Sequence, residues 1–156
     1  MNKRKGFTLV ELVVVMAIIG ILAAILVPTL MGYVKKSRLK QSNANAKIAY
    51  NVVSGTIGKY LIEARSYDYE GLEIDCTGDA PVPNDEFTRE VYSSMAVNGK
   101  GSGIMYIGVF SVGDKTDDDA LFIQWRTTES DLMVGQFPGA SSDIDNVPTW
   151  KTYWTK

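Results

Sequence analysis

The 156-residue sequence predicts an α+β fold in which one long N-terminal helix packs on a small antiparallel β-sheet. Three observations lead there. An uncharged apolar run, Leu12 to Val34, stands near the start of the chain. An amphipathic pattern at three- and four-residue spacing follows with no intervening proline. The last third alternates short strand-like runs with turn-forming residues.

At about 1.5 Å per residue the apolar run extends about 35 Å, enough to cross a bilayer core of about 30 Å. Lys3, Arg4 and Lys5 precede it, and Lys35, Lys36, Arg38 and Lys40 follow it. With cations at both ends, the positive-inside rule does not settle the topology. Glu11 stands at the start of the run, where a carboxylate in hydrocarbon costs on the order of 3 kcal/mol. It therefore calls for a partner. Further along, Pro28 lacks the N–H that would bond to the Ala24 carbonyl, and its ring crowds that turn. With Gly20 it brackets a weak stretch, of a kind tolerated in membrane helices.

Beyond the run, Ala46, Ala49, Val52, Val53, Ile57, Tyr60, Leu61 and Ala64 form an apolar stripe, with Lys47, Asn51, Ser54 and Lys59 on the other side. One helix from about Phe7 to Arg65 is predicted, apolar all round and then amphipathic. Gly55 and Gly58 weaken it by about 1 kcal/mol each relative to Ala, or mark close packing against a strand.

From Ser66 to Glu86 the periodicity vanishes. Asn84 or Asp85 is placed to cap a short helix to about Ala96, with Phe87, Val91 and Met95 on one face. Strands are predicted at Ile104–Val112, Leu121–Thr127, Leu132–Phe137 and Thr149–Tyr153, with Gly113–Asp119 as a hairpin loop. On the last of these, Trp150, Thr152 and Trp154 share one face, opposite Lys151 and Tyr153. Such a Trp pair can stack on sugars or a partner surface, but packing in the core or between subunits is the expectation. Strands joined by short loops argue an antiparallel sheet, with the helix stripe covering one face.

Composition removes whole classes of chemistry. There is no histidine, which excludes Ser-His-Asp and Cys-His catalysis, His-ligated zinc and HExxH proteases. A single cysteine, Cys76, allows no intramolecular disulfide and reads as a buried small apolar side chain. The formal charge is −2, and loss of Lys3, Arg4 and Lys5 would leave about −5, a poor match for nucleic acid. "NGKGSG", Asn98 to Gly103, lies between a helix and a strand. That is the reverse of a phosphate loop, and it reads as a helix cap and turn. Asp117, Asp118 and Asp119, and separately Asp143, Asp145 and Asn146, offer clustered oxygen ligands but lack the EF-hand spacing; solvated loops with no metal are the expectation, and calcium at the second cluster is the alternative.

For the N-terminal segment, a secretory signal has a shorter apolar region, although "LAAIL" imitates a cleavage site. A lipoprotein signal would need a cysteine at the end of the run, and an uncleaved signal anchor has the same length and composition. More specifically, "KGFTLVELVVVMAIIGILAAILVP" resembles the N-terminus of type IV pilins and their relatives, the pseudopilins of type II secretion and the competence pilins. The matching features are a short basic leader ending in Gly6, then Phe7, Glu11, an apolar helix and Pro28.

The resemblance implies a pilin-like fold and a division into a removed leader (1–6), a long helix (7–65) and a globular part (66–156). It implies cleavage between Gly6 and Phe7 by a prepilin peptidase, with methylation of the new N-terminus. In such filaments Glu11 would neutralise the terminal amine of a neighbouring subunit, and the Gly20–Pro28 stretch would lose helicity as subunits pack. The implied partners are the membrane for the precursor, copies of the chain itself, the peptidase, and an assembly platform with its ATPase. The implied role is a bacterial surface filament with a part in adhesion or motility, not an enzyme, and without a cofactor or nucleic acid. A secretion pseudopilin or a competence pilin is the alternative, and a membrane-anchored binding protein with an intact leader is a further one. Many pilins staple the C-terminal region with a disulfide. Here "PGASSDIDNVP" after Phe137 must be held by packing, hydrogen bonds or an ion.

Overall fold

Helix α1 runs from Leu9 to Ile62 in the structure, a computed structural model that describes residues 7–78, 81–96, 103–111 and 119–153. The chain divides into two compact units, residues 1–35 and 36–156. In the first, the described residues are almost entirely the apolar part of α1. Every large apolar side chain from Phe7 to Val34 is exposed, and the best covered, Val15, is still 46% exposed. The helix continues through Pro28, and the hydroxyl of the next residue, Thr29, donates to the Ile25 carbonyl one turn back at 3.2 Å.

In the second unit α1 buries Leu39, Ser42, Ala46, Ala49, Val53, Thr56 and Tyr60. The spacing is the expected one, but the stripe begins earlier, at Leu39, and excludes two predicted members. Leu61 is 71% exposed, because the helical rotation of about 100° per residue carries it off the face that Tyr60 occupies. Ala64 lies beyond the helix in a left-handed conformation, φ 54°. There the Ala64 amide donates to the Leu61 carbonyl and the Arg65 amide to the Tyr60 carbonyl. This pattern closes a helix end and stops α1 short of Arg65. Gly55 and Gly58 have open space around them, so neither marks close packing against a strand.

Four strands follow: β1 (Glu73–Asp75), β2 (Ile104–Ser111), β3 (Asp119–Arg126) and β4 (Gly135–Phe137), with α2 (Glu86–Ala96) between β1 and β2. They form one antiparallel sheet in the order β1-β2-β3-β4. Asp85 caps α2, its carboxylate accepting from the Thr88 amide at 2.8 Å and hydroxyl at 2.7 Å. Phe87, Val91 and Met95 of α2 meet Ala46, Ala49, Val53 and Tyr60 of α1, and Met105, Ile107, Ile123 and Trp125 of the sheet, in one core.

The small residues of α1 let it lie close to the sheet. At Gly135 a β-carbon would collide with the backbone of Ser42 and Asn43, so only glycine fits where β4 passes under the helix. Asn43 secures that crossing: its Oδ1 accepts from the Gln136 amide at 3.1 Å and its Nδ2 donates to the Ser141 carbonyl at 2.7 Å.

Three strand expectations need correction. β1 lies in the stretch that reads as aperiodic. The predicted Leu132–Phe137 strand shrinks to β4, with Leu132 78% exposed and the Met133 amide bound to the Asp131 carboxylate at 3.0 Å. Residues 149–153 form turns and no strand, so Trp150 and Thr152 do not alternate on a sheet face. Their backbone is held by a buried side chain instead. Gln124 Nε2 lies 2.9 Å from the Thr149 carbonyl and 2.7 Å from that of Thr152. Its Oε1 accepts from the Lys151 amide at 2.6 Å. Of the predicted hairpin loop, residues 113–118 lie outside the described residues, as do Val112 and Trp154.

Candidate functional site

The unpartnered apolar surface of residues 7–34 marks the N-terminal segment as the working part of the chain, since exposure on this scale has to be covered by lipid or by protein. Thr8 precedes the first helical residue, and its hydroxyl accepts from the Glu11 amide at 3.3 Å. Glu11 answers with Oε2, which accepts from the Thr8 amide at 2.9 Å and the Thr8 hydroxyl at 2.7 Å. This is a capping box, in which two otherwise orphaned helix-end donors are satisfied reciprocally. A carboxylate in the first turn also complements the positive end of the helix dipole.

Both bonds to Thr8 fall on Oε2. Among the described residues no hydrogen bond reaches Oε1, which leaves one oxygen of the carboxylate open at the helix tip. Phe7, 86% exposed, is the next residue outward. Phe7 and Glu11 therefore lie four residues apart at the start of α1, while Pro28 stands farther along it. Gly6, with the rest of residues 1–6, lies outside the described residues.

Thr8 is the site residue that sequence reasoning missed. The signal was present as "TLVE", a Thr followed three positions later by Glu just before an apolar run.

The other candidates hold structural roles. Asp143 accepts from the Asp145 amide at 3.0 Å. Ser141 beside it donates to the Asn146 carbonyl at 2.7 Å and accepts from the Asp143 amide at 3.1 Å. The loop after Phe137 is thus held by hydrogen bonds, the second of the three expected means. Among the described residues no group of three or more acidic, Cys or His side chains could hold a metal. Asp117 and Asp118 lie outside them, and Asp119 opens β3.

Residues 98–102 of "NGKGSG" are also outside, but α2 precedes and β2 follows, the order that disqualifies a phosphate loop. Trp150 packs under the Arg126 guanidinium, 4.2 Å from its ring centre, and beside Tyr106, the packing role expected of it. Cys76 is buried, and burial, with Asp75 adding to it, pushes its thiol up to about 12.

Comparisons with known proteins agree with this picture of the N-terminus. Residues 1–27 match the family model described as the prokaryotic N-terminal methylation motif. The chain is 31% identical to the type IV major alpha-pilin of Moraxella bovis over 134 residues, covering 83% of each chain. It is 30% identical to the type IV major fimbrial protein FimA of Dichelobacter nodosus, over 73% of this chain and 89% of the other. A fimbrial protein of Pseudomonas aeruginosa is 30% identical over 75% of this chain and 83% of its own length. No solved structure matches the chain.

Proposed function

We propose that this chain, which belongs to the type IV pilin family, is a structural pilus subunit that polymerises through the apolar part of α1 after losing residues 1–6. The observation that carries the reading is the tip of α1. There a long uncovered apolar helix begins with a carboxylate that is half engaged by its own cap.

Cleavage after Gly6 by a prepilin peptidase would create an amine at Phe7, one residue outside the Thr8–Glu11 cap. Within one chain Oε2 serves Thr8. In a bundle of such helices, Oε1 would accept the Phe7 amine of a neighbouring copy. Pairing makes each buried charge tolerable, and an unpaired charge there costs about 3–5 kcal/mol. Only one stagger between copies brings the two together, so the pair would fix the register. The peptidase, the assembly platform and its ATPase are the partners such a subunit requires. The precursor would reside in the membrane and the product on the cell surface, with adhesion or motility as downstream roles. The names of the relatives, major pilins and fimbrial proteins, support a surface filament over a secretion pseudopilin or a competence pilin.

Two measurements test this. Mass spectrometry of the mature chain should find N-methyl-Phe at position 7, and an intact leader would overturn the reading. Glu11→Gln separates the two roles of Glu11, because glutamine also completes a capping box but carries no charge. The variant should be processed normally and give few filaments. Abundant filaments would reduce Glu11 to a helix cap.

A further inference from the structure

Beyond α1, residues 67–70 wall an open hollow of about 300 Å³ lined by Tyr67, Asp68, Tyr69, Glu70, Val109 and Leu121. The wall is rigidly backed, since Tyr67 stacks on Phe87 at 4.6 Å and Phe87 meets Tyr60 edge-on at 5.4 Å. Asp68 and Glu70 are exposed, and among the described residues neither is ion-paired. At the other end of the second unit's part of α1, Lys36, Arg38 and Lys40 are exposed around the buried Leu39, and they too have no ion-pair partner among the described residues. Among the described residues, one chain therefore carries a basic collar and an acidic, aromatic hollow that form no ion pairs. About 24 helical residues, roughly 36 Å along the axis, separate Arg38 from the end of α1 at Ile62, and residues 67–70 of the hollow follow just beyond that end.

We propose that the hollow of one copy receives the collar of a second copy. The inference rests on the filament reading above. Copies stacked in parallel with a small stagger repeat at multiples of that stagger, so a contact offset by roughly 36 Å joins copies several steps apart. The chemistry suits an Arg or Lys side chain: two carboxylates supply charge and two tyrosines supply ring faces. The chain already uses that combination internally, with Arg65 4.2 Å from the Tyr60 ring centre and Arg126 at the same distance from that of Trp150.

The test uses filaments sheared from cells expressing the full chain. Asp68→Lys with Glu70→Lys should lower filament yield about tenfold or more, as should Lys36→Glu with Arg38→Glu and Lys40→Glu. Combining both sets should restore filaments. Normal yield from the reversed hollow would overturn the proposal while leaving the filament reading intact. If the reversed collar lowered yield, the reversed hollow did not, and combining them restored nothing, the collar would belong to anionic lipid headgroups and the proposal would again fall.

A covalent test is independent of yield. With Arg38→Cys and Asp68→Cys in the same chain, the two thiols are too far apart to join within one copy, since a disulfide needs Cα atoms within about 7 Å. Oxidised filaments should give a ladder of linked multimers, and monomers alone would count against the contact. Absence of filaments from the unaltered chain would overturn both readings.

Discussion

Gln124 is fully buried, yet its amide engages three backbone groups of residues 149–152 as well as Gln136 Oε1 at 3.1 Å. In a chain whose single cysteine forbids a staple, this side chain ties the C-terminal segment to β3. Gln136 extends the tie by donating to the Pro138 carbonyl at 3.1 Å, and Asn43 carries it on to α1. A buried polar group left without its partner costs about 1–3 kcal/mol. Gln124→Leu keeps a side chain of similar size but strands the Thr152 carbonyl and the Lys151 amide, and leaves the Thr149 carbonyl only its bond from the Thr152 amide. It should lower unfolding stability by about 3 kcal/mol or more, read as a reduced urea midpoint. Residues 149–153 should also become sensitive to protease before the rest of the second unit unfolds. Unchanged proteolysis would place the hold on this segment in the Phe110–Tyr153 ring stack, whose centroids are 3.7 Å apart.

At the scale of elements, α2 is clamped to α1 and to the residues just past its end by charge as well as by its apolar face. Glu86 accepts two hydrogen bonds from Arg65, and Glu90 pairs with Lys59 at 2.9 Å. The hydrogen bond from Arg65 holds the Glu86 carboxyl below its ordinary value of 4.5. Burial pushes Asp85 upward, but the bonds from Thr88 and Tyr67 outweigh it and hold it below its ordinary 3.8. Depressed carboxylates contribute stability that is present above their unfolded values and is lost as pH falls through the folded ones. The thermal midpoint should therefore drop from about pH 5 downward, and Asp85→Asn with Glu86→Gln should flatten that slope. An equally steep acid limb in the double variant would assign it to other carboxylates. Elements with strong local signals were legible: α1 from its two periodicities, α2 from Asp85 and the Phe87–Met95 face, β2 and β3 from their β-branched and aromatic runs. β1 is three residues long in an acidic setting and exists because β2 pairs with it, which no local pattern encodes. The last predicted strand failed because Gln124, distant in sequence, claimed its backbone. At the N-terminus Phe7 and Glu11 were legible as a pair, while the cap that Thr8 builds was written in the sequence and overlooked.

For the whole molecule, cohesion and assembly are assigned to different stretches of chain. Every buried residue of α1 lies at Leu39 or later, and the main hydrophobic cluster begins at Ala46. Residues 7–34 add exposed apolar surface and no buried side chain to the folded unit. Surface of that kind drives association with lipid or with other copies, while contributing little to the unfolding free energy of the rest. A chain starting at Lys36 should therefore be monomeric without detergent and unfold cooperatively. Its midpoint should lie within a few degrees of that of the full chain in mild detergent, since a change of 1 kcal/mol moves such a domain by about 4–8 °C. Sedimentation and circular dichroism read both properties. A fragment that aggregates or melts without a transition would show that the apolar helix supports the fold. A well-folded monomer that no longer assembles would locate polymerisation in the residues that the globular part does without.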